Sequence, residues 1–314
     1  MTCTRRLSAV LAALAAGSLL IAGCGGGGGH AVRGSDTVGL VTAHTITYRS
    51  SSDGSRVTGL VAIPRAVASR GCVIWQFGLG STMQDSSQAW QGLASLGLVT
   101  FSIDFRDQGA RASSPDEYKQ VIRNPNRLAE MIRGTVADLH SAVGFLERQP
   151  YCAHTVAYGG VSLGGIVGTI LAATDRRVKA LELIATPGSF RAVLTTPGDT
   201  ILPGIARHPA QLAAALRVLS PLDPARFVGR VSPRPVLILS GRKDTTVLLS
   251  NARLLQAATR PPRTIIDYDG GHNPALGPAA AATAQAVASF LLRHVVEPSY
   301  GISGNENGTF IQQQ

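Results

Sequence analysis

The sequence predicts an α/β fold: a mostly parallel sheet with a leading antiparallel hairpin, helices on both faces and a small cap insertion. Two observations predict this class. Short apolar runs, typical of strands buried on both faces, alternate along the chain with stretches of helical periodicity. Ahead of this alternation, two strand-like segments flank the turn Asp53–Gly54, whose glycine adopts positive φ at little cost. Scattered Pro and Gly interrupt the alternation at 187–233, which indicates a cap between two strands rather than a second domain.

Each strand is predicted from its own pattern. Segment 42–49 alternates apolar and polar residues, as a half-buried strand does, and pairs across the turn with 56–63, which Pro64 ends. The later strands are short apolar runs bounded by glycine or polar residues. They are predicted at 72–77, 98–104, 155–159, 178–186, 235–240 and 264–268.

The helices are predicted from apolar residues that recur at the helical period. Gly97 supplies a C-terminal stop for the first of them. One helical patch, 209–219, lies in the cap. The others are predicted at 84–96, 128–148, 163–173, 247–259 and 278–296.

The first segment, 1–23, is typical of an export signal. Arginines precede an apolar run at 7–22, and small residues lead to a cysteine. The tetrapeptide Ile21–Cys24 resembles a bacterial lipobox, in which the cysteine thiol receives a diacylglyceryl group and becomes the first residue of the mature chain. We therefore expect export and lipid anchoring through Cys24 at the outer face of a bacterial membrane, with 24–40 as a glycine-rich tether. An ordinary secretory signal with a coincidental cysteine is the alternative.

The rest of the chain is expected to form one α/β domain at 41–296 and a polar tail at 297–314.

The 314 residues include 29 Lys and Arg and 19 Asp and Glu, a net charge of +10. Loss of the signal removes Arg5 and Arg6 and no acid, so the mature charge is +8, a modest help at an anionic lipid surface. The basic residues are scattered, without a Lys/Arg run that interleaves aromatics, so no nucleic-acid partner is expected. The oligomeric state is left open.

The number and position of the cysteines are consistent with an exported protein. Cys3 is lost with the signal and Cys24 is taken by lipid, so Cys72 and Cys152 remain as an even pair. The sequence contains no Cys-x-x-Cys motif and no Cys/His cluster, so no metal site is expected.

The segment Gly160–Gly164 is the first catalytic candidate. It has the pattern Gly-x-Ser-x-Gly, follows a predicted buried strand and opens the helix at 163–173. A nucleophile on such a sharp turn needs glycine on both sides, because the backbone is strained and neighbouring chain approaches closely. Ser162 is therefore the candidate nucleophile; a harmless serine in a glycine-rich turn is the alternative.

A serine nucleophile needs a base, and the base needs an orienting carboxylate. Asp244 lies just past the strand at 235–240, and His272 follows two glycines after the strand at 264–268. Either alone would be interpreted as a capping or surface residue, but three residues in the order Ser, Asp, His, each past its own strand, predict a triad. His208 in the cap is a candidate substrate contact, with a solvated surface histidine as the alternative. The other histidines lie within helices or ahead of strands: His30, His44, His140, His154 and His294.

Five segments carry motifs of a known family: Trp75–Gly80, Asp104–Arg111, Gly160–Gly164, Gly241–Asp244 and Gly270–His272. Together they resemble the α/β-hydrolase superfamily, most of all its dienelactone-hydrolase-like and prolyl-oligopeptidase-like branches. Ser220–Pro224 is similar to the segment by which those branches re-enter the sheet. The resemblance covers 42–296 and is least specific in the cap.

By position, the resemblance implies that Ser162 is the nucleophile, Asp244 the acid and His272 the base. It implies that the backbone N–H groups of Leu79 and Leu163 form the oxyanion hole. It implies no cofactor and no metal, because the triad mechanism needs neither.

One departure from the family concerns the loop that carries Leu79. The family usually has His-Gly where this chain has Phe77–Gly78. That histidine commonly supports the loop and is not the catalytic base. The departure therefore bears on the oxyanion geometry more than on the triad.

The resemblance also implies a Cys72–Cys152 disulfide. In the α/β-hydrolase sheet, the strand after Cys72 and the strand after Cys152 are parallel neighbours, and both cysteines lie near the strand N-termini. The bridge is then expected at the sheet edge opposite the active site, with two free buried thiols as the alternative.

The expected function is hydrolysis of small-molecule carboxylic esters by a serine hydrolase at the membrane surface. A serine peptidase of the same fold is the nearest alternative, although no propeller-sized N-terminal domain that would select peptides is predicted. The other is a non-catalytic, lipid-tethered binding protein on a degenerate hydrolase scaffold, which Phe77 favours mildly.

Overall fold

The computed structural model of the protein describes residues 35–152, 155–197 and 201–296. The predicted signal segment, Cys24, most of the tether, the polar tail, His30 and His154 lie outside the described residues. No helix within the described ranges combines the length and the apolar character needed to cross a membrane.

A single mixed sheet of nine strands runs through the described part of the chain. Its strands in chain order are β1 (Ser35–Val38), β2 (Val41–Arg49), β3 (Arg56–Pro64), β4 (Gly71–Gln76), β5 (Leu98–Ile103), β6 (Val156–Val161), β7 (Val178–Ile184), β8 (Val236–Gly241) and β9 (Arg263–Tyr268). In space the order is β1-β2-β3-β5-β4-β6-β7-β8-β9. The pairs from β1 to β5 are antiparallel, and all pairs from β5 through β9 are parallel.

Helices cover both faces of the sheet. They are α1 (Ser87–Ser95), α2 (Glu117–Val121), α3 (Pro125–Leu146), α4 (Leu163–Thr174), α5 (Phe190–Leu194), α6 (Pro209–Leu219), α7 (Leu249–Ala258) and α8 (Ala280–Leu291). The apolar side chains of α3 and α4 pack on one face, where buried residues of α6 join them. Those of α1 and α8 pack on the other. The predicted fold class is confirmed.

The structure differs from the sequence prediction at several element ends. Strand β1 was not predicted and lies inside the segment assigned to the tether, because four residues with one apolar side chain show no recognisable alternation. Helix α3 begins at Pro125 rather than at 128. Its cap is Asn124, whose Oδ1 accepts the N–H groups of Asn126 and Arg127 at 3.0 and 3.2 Å. Beyond α8 the chain continues as a π-helical turn, Leu292–Val296.

A disulfide links the amino ends of two neighbouring strands. Cys72 in β4 is bonded to Cys152, which lies just before β6; the Cα atoms are 4.8 Å apart across a sequence separation of 80. The predicted bridge is confirmed, at the edge of the sheet opposite the loops that follow β4 and β6. Closing a loop of this length stabilises the fold by about 4 kcal/mol in the chain-entropy model.

Candidate active site

Ser162 lies on a strained turn between β6 and α4. Its φ of 56° and ψ of −115° are values that residues with a side chain rarely adopt. Its N–H donates to the carbonyl of Ile184 in β7 at 2.9 Å, and its own carbonyl accepts the N–H of Ile166 at 3.1 Å. Such strain persists only where the surrounding structure fixes it, and here the neighbouring strand and the first turn of α4 do so.

Close approach of backbone explains the two glycines that flank this serine. A Cβ added at Gly160 would lie 2.5 Å from the carbonyl carbon of Gly164. A Cβ added at Gly164 would lie 2.3 Å from the carbonyl oxygen of Gln76, at the end of β4. Neither position has room for a side chain, so the start of α4 packs directly against the ends of β4 and β6.

Asp244 and His272 form a hydrogen-bonded pair. The Nδ1 of His272 donates to Oδ2 of Asp244 at 2.8 Å. The other carboxylate oxygen accepts the N–H groups of Thr246 and Val247, each at 2.8 Å. The carboxylate is buried, whereas 30% of the His272 side chain remains exposed. A carboxylate can only accept, so Nδ1 is the donor in this bond, and in the neutral imidazole Nε2 is then the nitrogen that can accept a proton.

The loops that carry this pair contact each other. The N–H of Lys243, after β8, donates to the carbonyl of Gly270, after β9, at 2.9 Å. Within the loop after β9, the hydroxyl of Tyr268 donates to the carbonyl of Gly271 at 2.8 Å. Burial, and after it the Asp244 charge, raise the pKa of Tyr268, so this hydroxyl keeps its proton. The loop after β8 and the loop after β9 thus hold the imidazole and the carboxylate in one geometry.

Ser162 and the Asp244–His272 pair lie at the same edge of the sheet, because each follows the carboxyl end of a parallel strand. Within the described ranges no hydrogen bond joins Ser162 to His272. In proteins without bound substrate such bonds are often long and form only in the complex.

Leu79 and Leu163, the residues expected to form the oxyanion hole, lie in the loop after β4 and at the start of α4. Leu163 is the first residue of α4, so its N–H has no acceptor within the helix. Leu79 lies in the loop after β4, next to Gly78, where an added Cβ would be 3.2 Å from the Cβ of Ser162. The arrangement can offer two donors to one oxygen atom.

Known structures share this architecture. An acetyl xylan esterase from Paenibacillus sp. R4 matches with a TM-score of 0.66 at 16% identity, over 94% of this chain and 100% of that one. An α/β hydrolase from Penicillium sp. sh18 matches with 0.60 at 17% identity, over 81% of this chain and 99% of that one. The chain has the α/β-hydrolase fold.

An acylaminoacyl peptidase from Pyrococcus horikoshii shares the α/β-hydrolase fold too, with a TM-score of 0.60 at 14% identity. The match covers 82% of this chain and 43% of that one. No protein-family model matches the chain, and no curated protein sequence matches it.

Within this α/β-hydrolase fold, two polar residues after β5, Asp104 and Gln108, have a role that their sequence does not predict. Asp104 is buried, and its carboxylate accepts the N–H groups of Met83 at 2.6 Å and Ala110 at 2.8 Å. Burial raises the pKa of Asp104, against the opposing effect of these two bonds. Gln108, also buried, accepts the N–H of Gly80. Both residues belong to the segment Asp104–Arg111, which carries part of the family resemblance and could have drawn attention to them. The sequence of this segment, however, does not show which loop it contacts.

Other histidines in the described ranges are placed differently. His140 bonds Asp175 and Thr174, and His294 packs edge-on against Phe290. His208 is exposed at the start of α6. No group of three or more His, Cys, Asp or Glu side chains in the described residues is arranged to hold a metal ion.

Proposed function

We propose that the protein is a serine hydrolase that cleaves small-molecule carboxylic esters through an acyl-enzyme. The observation that carries the proposal is the hydrogen-bonded Asp244–His272 pair at the sheet edge where Ser162 occupies a strained turn. Backbone strain at Ser162 and burial of the Asp244 carboxylate both have a cost to folding, and a hydrolytic triad gives them a common reason.

The proposed first half-reaction uses each group once. Nε2 of His272 takes the proton of the Ser162 hydroxyl as Oγ attacks the ester carbonyl carbon. Asp244 keeps the imidazole in the tautomer that accepts at Nε2 and stabilises the imidazolium that forms. The negative charge on the former carbonyl oxygen is met by the N–H groups of Leu79 and Leu163.

Collapse of the tetrahedral intermediate completes the first half-reaction, and the second half-reaction then follows the same route with water. When the tetrahedral intermediate collapses, His272 returns the proton to the departing alcohol, which leaves an acyl group on Ser162. Water then attacks this acyl group while His272 accepts a proton from the water. Collapse of the second tetrahedral intermediate releases the carboxylic acid, and His272 returns the proton to the Ser162 oxygen. No cofactor enters the proposed cycle.

We also propose that the enzyme works at the outer face of a bacterial membrane, anchored by lipid on Cys24. Support comes from the charged start, the apolar run and the small-residue tetrapeptide Ile21–Cys24.

The proposed triad predicts how much catalytic activity each variant should lose. Ser162→Ala and His272→Ala should each lower kcat toward p-nitrophenyl esters by about 10³-fold or more, and the double variant by little more than either alone. Ser162→Ala should also lose covalent labelling by a fluorophosphonate. His294→Ala, a histidine substitution in the π-helical turn, should leave kcat near that of the wild type.

Two outcomes would redirect the proposal. If Ser162→Ala kept both its esterase activity and its label, the nucleophile would lie elsewhere. If the wild type neither labelled nor hydrolysed any ester in an acyl-length series, a lipid-tethered binding protein would be the better account. Hydrolysis of amide analogues of the best ester, measured in the same assay, tests the peptidase alternative.

A further inference from the structure

The loop that follows β4 is held by a buried side chain from the segment after β5. Oε1 of Gln108 accepts the N–H of Gly80 at 2.6 Å, and only 2% of Gln108 is exposed. Because a backbone N–H can only donate, the oxygen end of the amide must face Gly80. Nε2 then points toward Sδ of Met131, at 3.5 Å.

The contact at Gly80 fixes the peptide next to Leu79. Gly80 has a φ of 79°, a value that favours glycine, and an added Cβ would lie 3.2 Å from the Tyr118 ring, so the loop packs closely against Tyr118 there. On the other side of Leu79, Gly78 packs against Ser162. The backbone is therefore held on both sides of Leu79, by Ser162 on one and by Gln108 on the other.

Phe77 cannot provide this support. Its side chain has no hydrogen-bonding atom, and its ring packs edge-on against Trp75 with centroids 6.4 Å apart. Asp104 holds the farther end of the same loop through Met83. Among the described residues, the polar side chain that bonds the loop backbone next to Leu79 is that of Gln108.

We propose that Gln108 is a positioning residue for the oxyanion hole: by holding Gly80, it aims the N–H of Leu79 at the substrate oxygen. The inference rests on the proposed hydrolase function. An uncharged amide suits this task, because it holds the loop without placing a negative charge near the developing oxyanion.

The test is Gln108→Met, which keeps the length of the side chain and removes the acceptor. Removal of an oxyanion donor lowers kcat by about 10²–10³-fold, so a misaimed donor should lower it by about 10–100-fold. KM should stay within about threefold, because the lost interaction forms chiefly in the transition state. Titration with a fluorophosphonate counts the folded sites, and kcat is expressed per labelled site.

Gln256→Met is the matched control. Gln256 in α7 is also buried, and its Nε2 donates to Oγ of Ser240 at 3.1 Å and to Oδ1 of Asp267 at 2.9 Å. Its Oε1 also accepts from Arg253 at 2.7 Å, so this variant too loses the hydrogen bonds of a buried glutamine amide, but away from the loop after β4. It should lower Tm and leave kcat per labelled site within about twofold of the wild type.

Three results would overturn the inference. The first is a Gln108→Met enzyme with wild-type kcat per labelled site, and the second is a loss confined to KM. If Gln108→Met does not fold, Gln108→Glu replaces it. Its carboxyl accepts from Gly80 when protonated and opposes the oxyanion when ionised, so its kcat relative to wild type should fall as pH rises. A kcat ratio of Gln108→Glu to wild type that does not change with pH is the third result that would overturn the inference.

Failure of the proposed function looks different. A wild type that neither labels nor hydrolyses esters overturns the hydrolase proposal, and this inference falls with it. An active wild type beside an unimpaired Gln108→Met overturns the inference alone.

Discussion

Glu182 in β7 buries a carboxyl group without a hydrogen-bond partner among the described residues. The glycine opposite it, Gly159 in β6, makes the space: an added Cβ there would lie 3.2 Å from Oε2 of Glu182 and 2.5 Å from the Trp75 ring. Burial raises the pKa of Glu182 well above its ordinary value. Burial thus favours the protonated, neutral form of this carboxyl group in the folded protein.

This neutral acid should make stability depend on pH. The unfolded chain releases the Glu182 proton near the ordinary pKa of about 4.3, whereas the folded chain keeps it to a higher pH. The stability associated with the protonated form is thus complete below about pH 4 and is lost as pH rises toward the raised pKa. Glu182→Gln, which mimics the neutral acid, should match the wild-type Tm near pH 4 and exceed it near pH 8. Thermal melts that show a constant difference in Tm across this range would contradict the assignment.

The place of a single residue in the fold could be predicted from the sequence where its position relative to a strand was enough to determine it. Ser162, Asp244 and His272 could be selected because each follows a strand, and parallel strands bring such residues to one edge. Glu182 could not, because one acid in an apolar run gives no sign of its partners. Gln108 could not, because its contact with Gly80 depends on how two loops fold against each other.

At the scale of elements, Asp138 links α3 to the segment after β5. Its fully buried carboxylate accepts two hydrogen bonds from Arg106, at 2.9 and 2.7 Å, and one from Arg111 at 2.8 Å. Arg106 also pairs with Asp53 in the β2–β3 turn at 2.8 Å. Burial alone would raise the pKa of Asp138, but the bonds and charges of Arg106 and Arg111 bring it below its usual value.

Asp138→Asn should therefore destabilise the fold by about 3 kcal/mol, because two arginines partly withdrawn from water lose their counter-charge. A lowered pKa means that the stabilisation is complete above about pH 4 and disappears as pH falls through the folded value. Urea unfolding should show a large difference from wild type at pH 7 and a smaller one near pH 3.

Asp116→Asn is the control for this prediction, since Asp116 is an exposed acid paired with Lys119 and should not measurably change the midpoint. An Asp138→Asn midpoint equal to that of the wild type at pH 7 would show that the pairs with Arg106 and Arg111 contribute nothing net.

The predictable elements were those long enough to show a period. The eight predicted strands are present because apolar runs of strand length are specific when helical stretches separate them. Helix α2 and the short turns between α6 and β8 were not predicted, since pieces of three to five residues depend on their tertiary contacts.

At the scale of the whole molecule, the proposed lipid anchor on Cys24 would hold the protein at a membrane. Cys24→Ala should shift the protein from the membrane fraction to the soluble fraction, because the diacylglyceryl group would have no attachment point. Cys3→Ala changes a cysteine of the proposed signal segment and should leave fractionation unchanged. Membrane association that survives Cys24→Ala would remove the anchor from the proposal.

The Cys72–Cys152 bridge also has a consequence for alignment. β4 and β6 pair in parallel with Cys72 opposite Val156, and their far ends lead to Leu79 and Ser162. A slip of one residue between these strands would displace one loop by about 3.3 Å relative to the other and turn every side chain of the slipped strand to the opposite face. A covalent link at one edge of the sheet therefore opposes a change in the offset between the loops that carry Leu79 and Ser162 at the other edge, without contacting either loop.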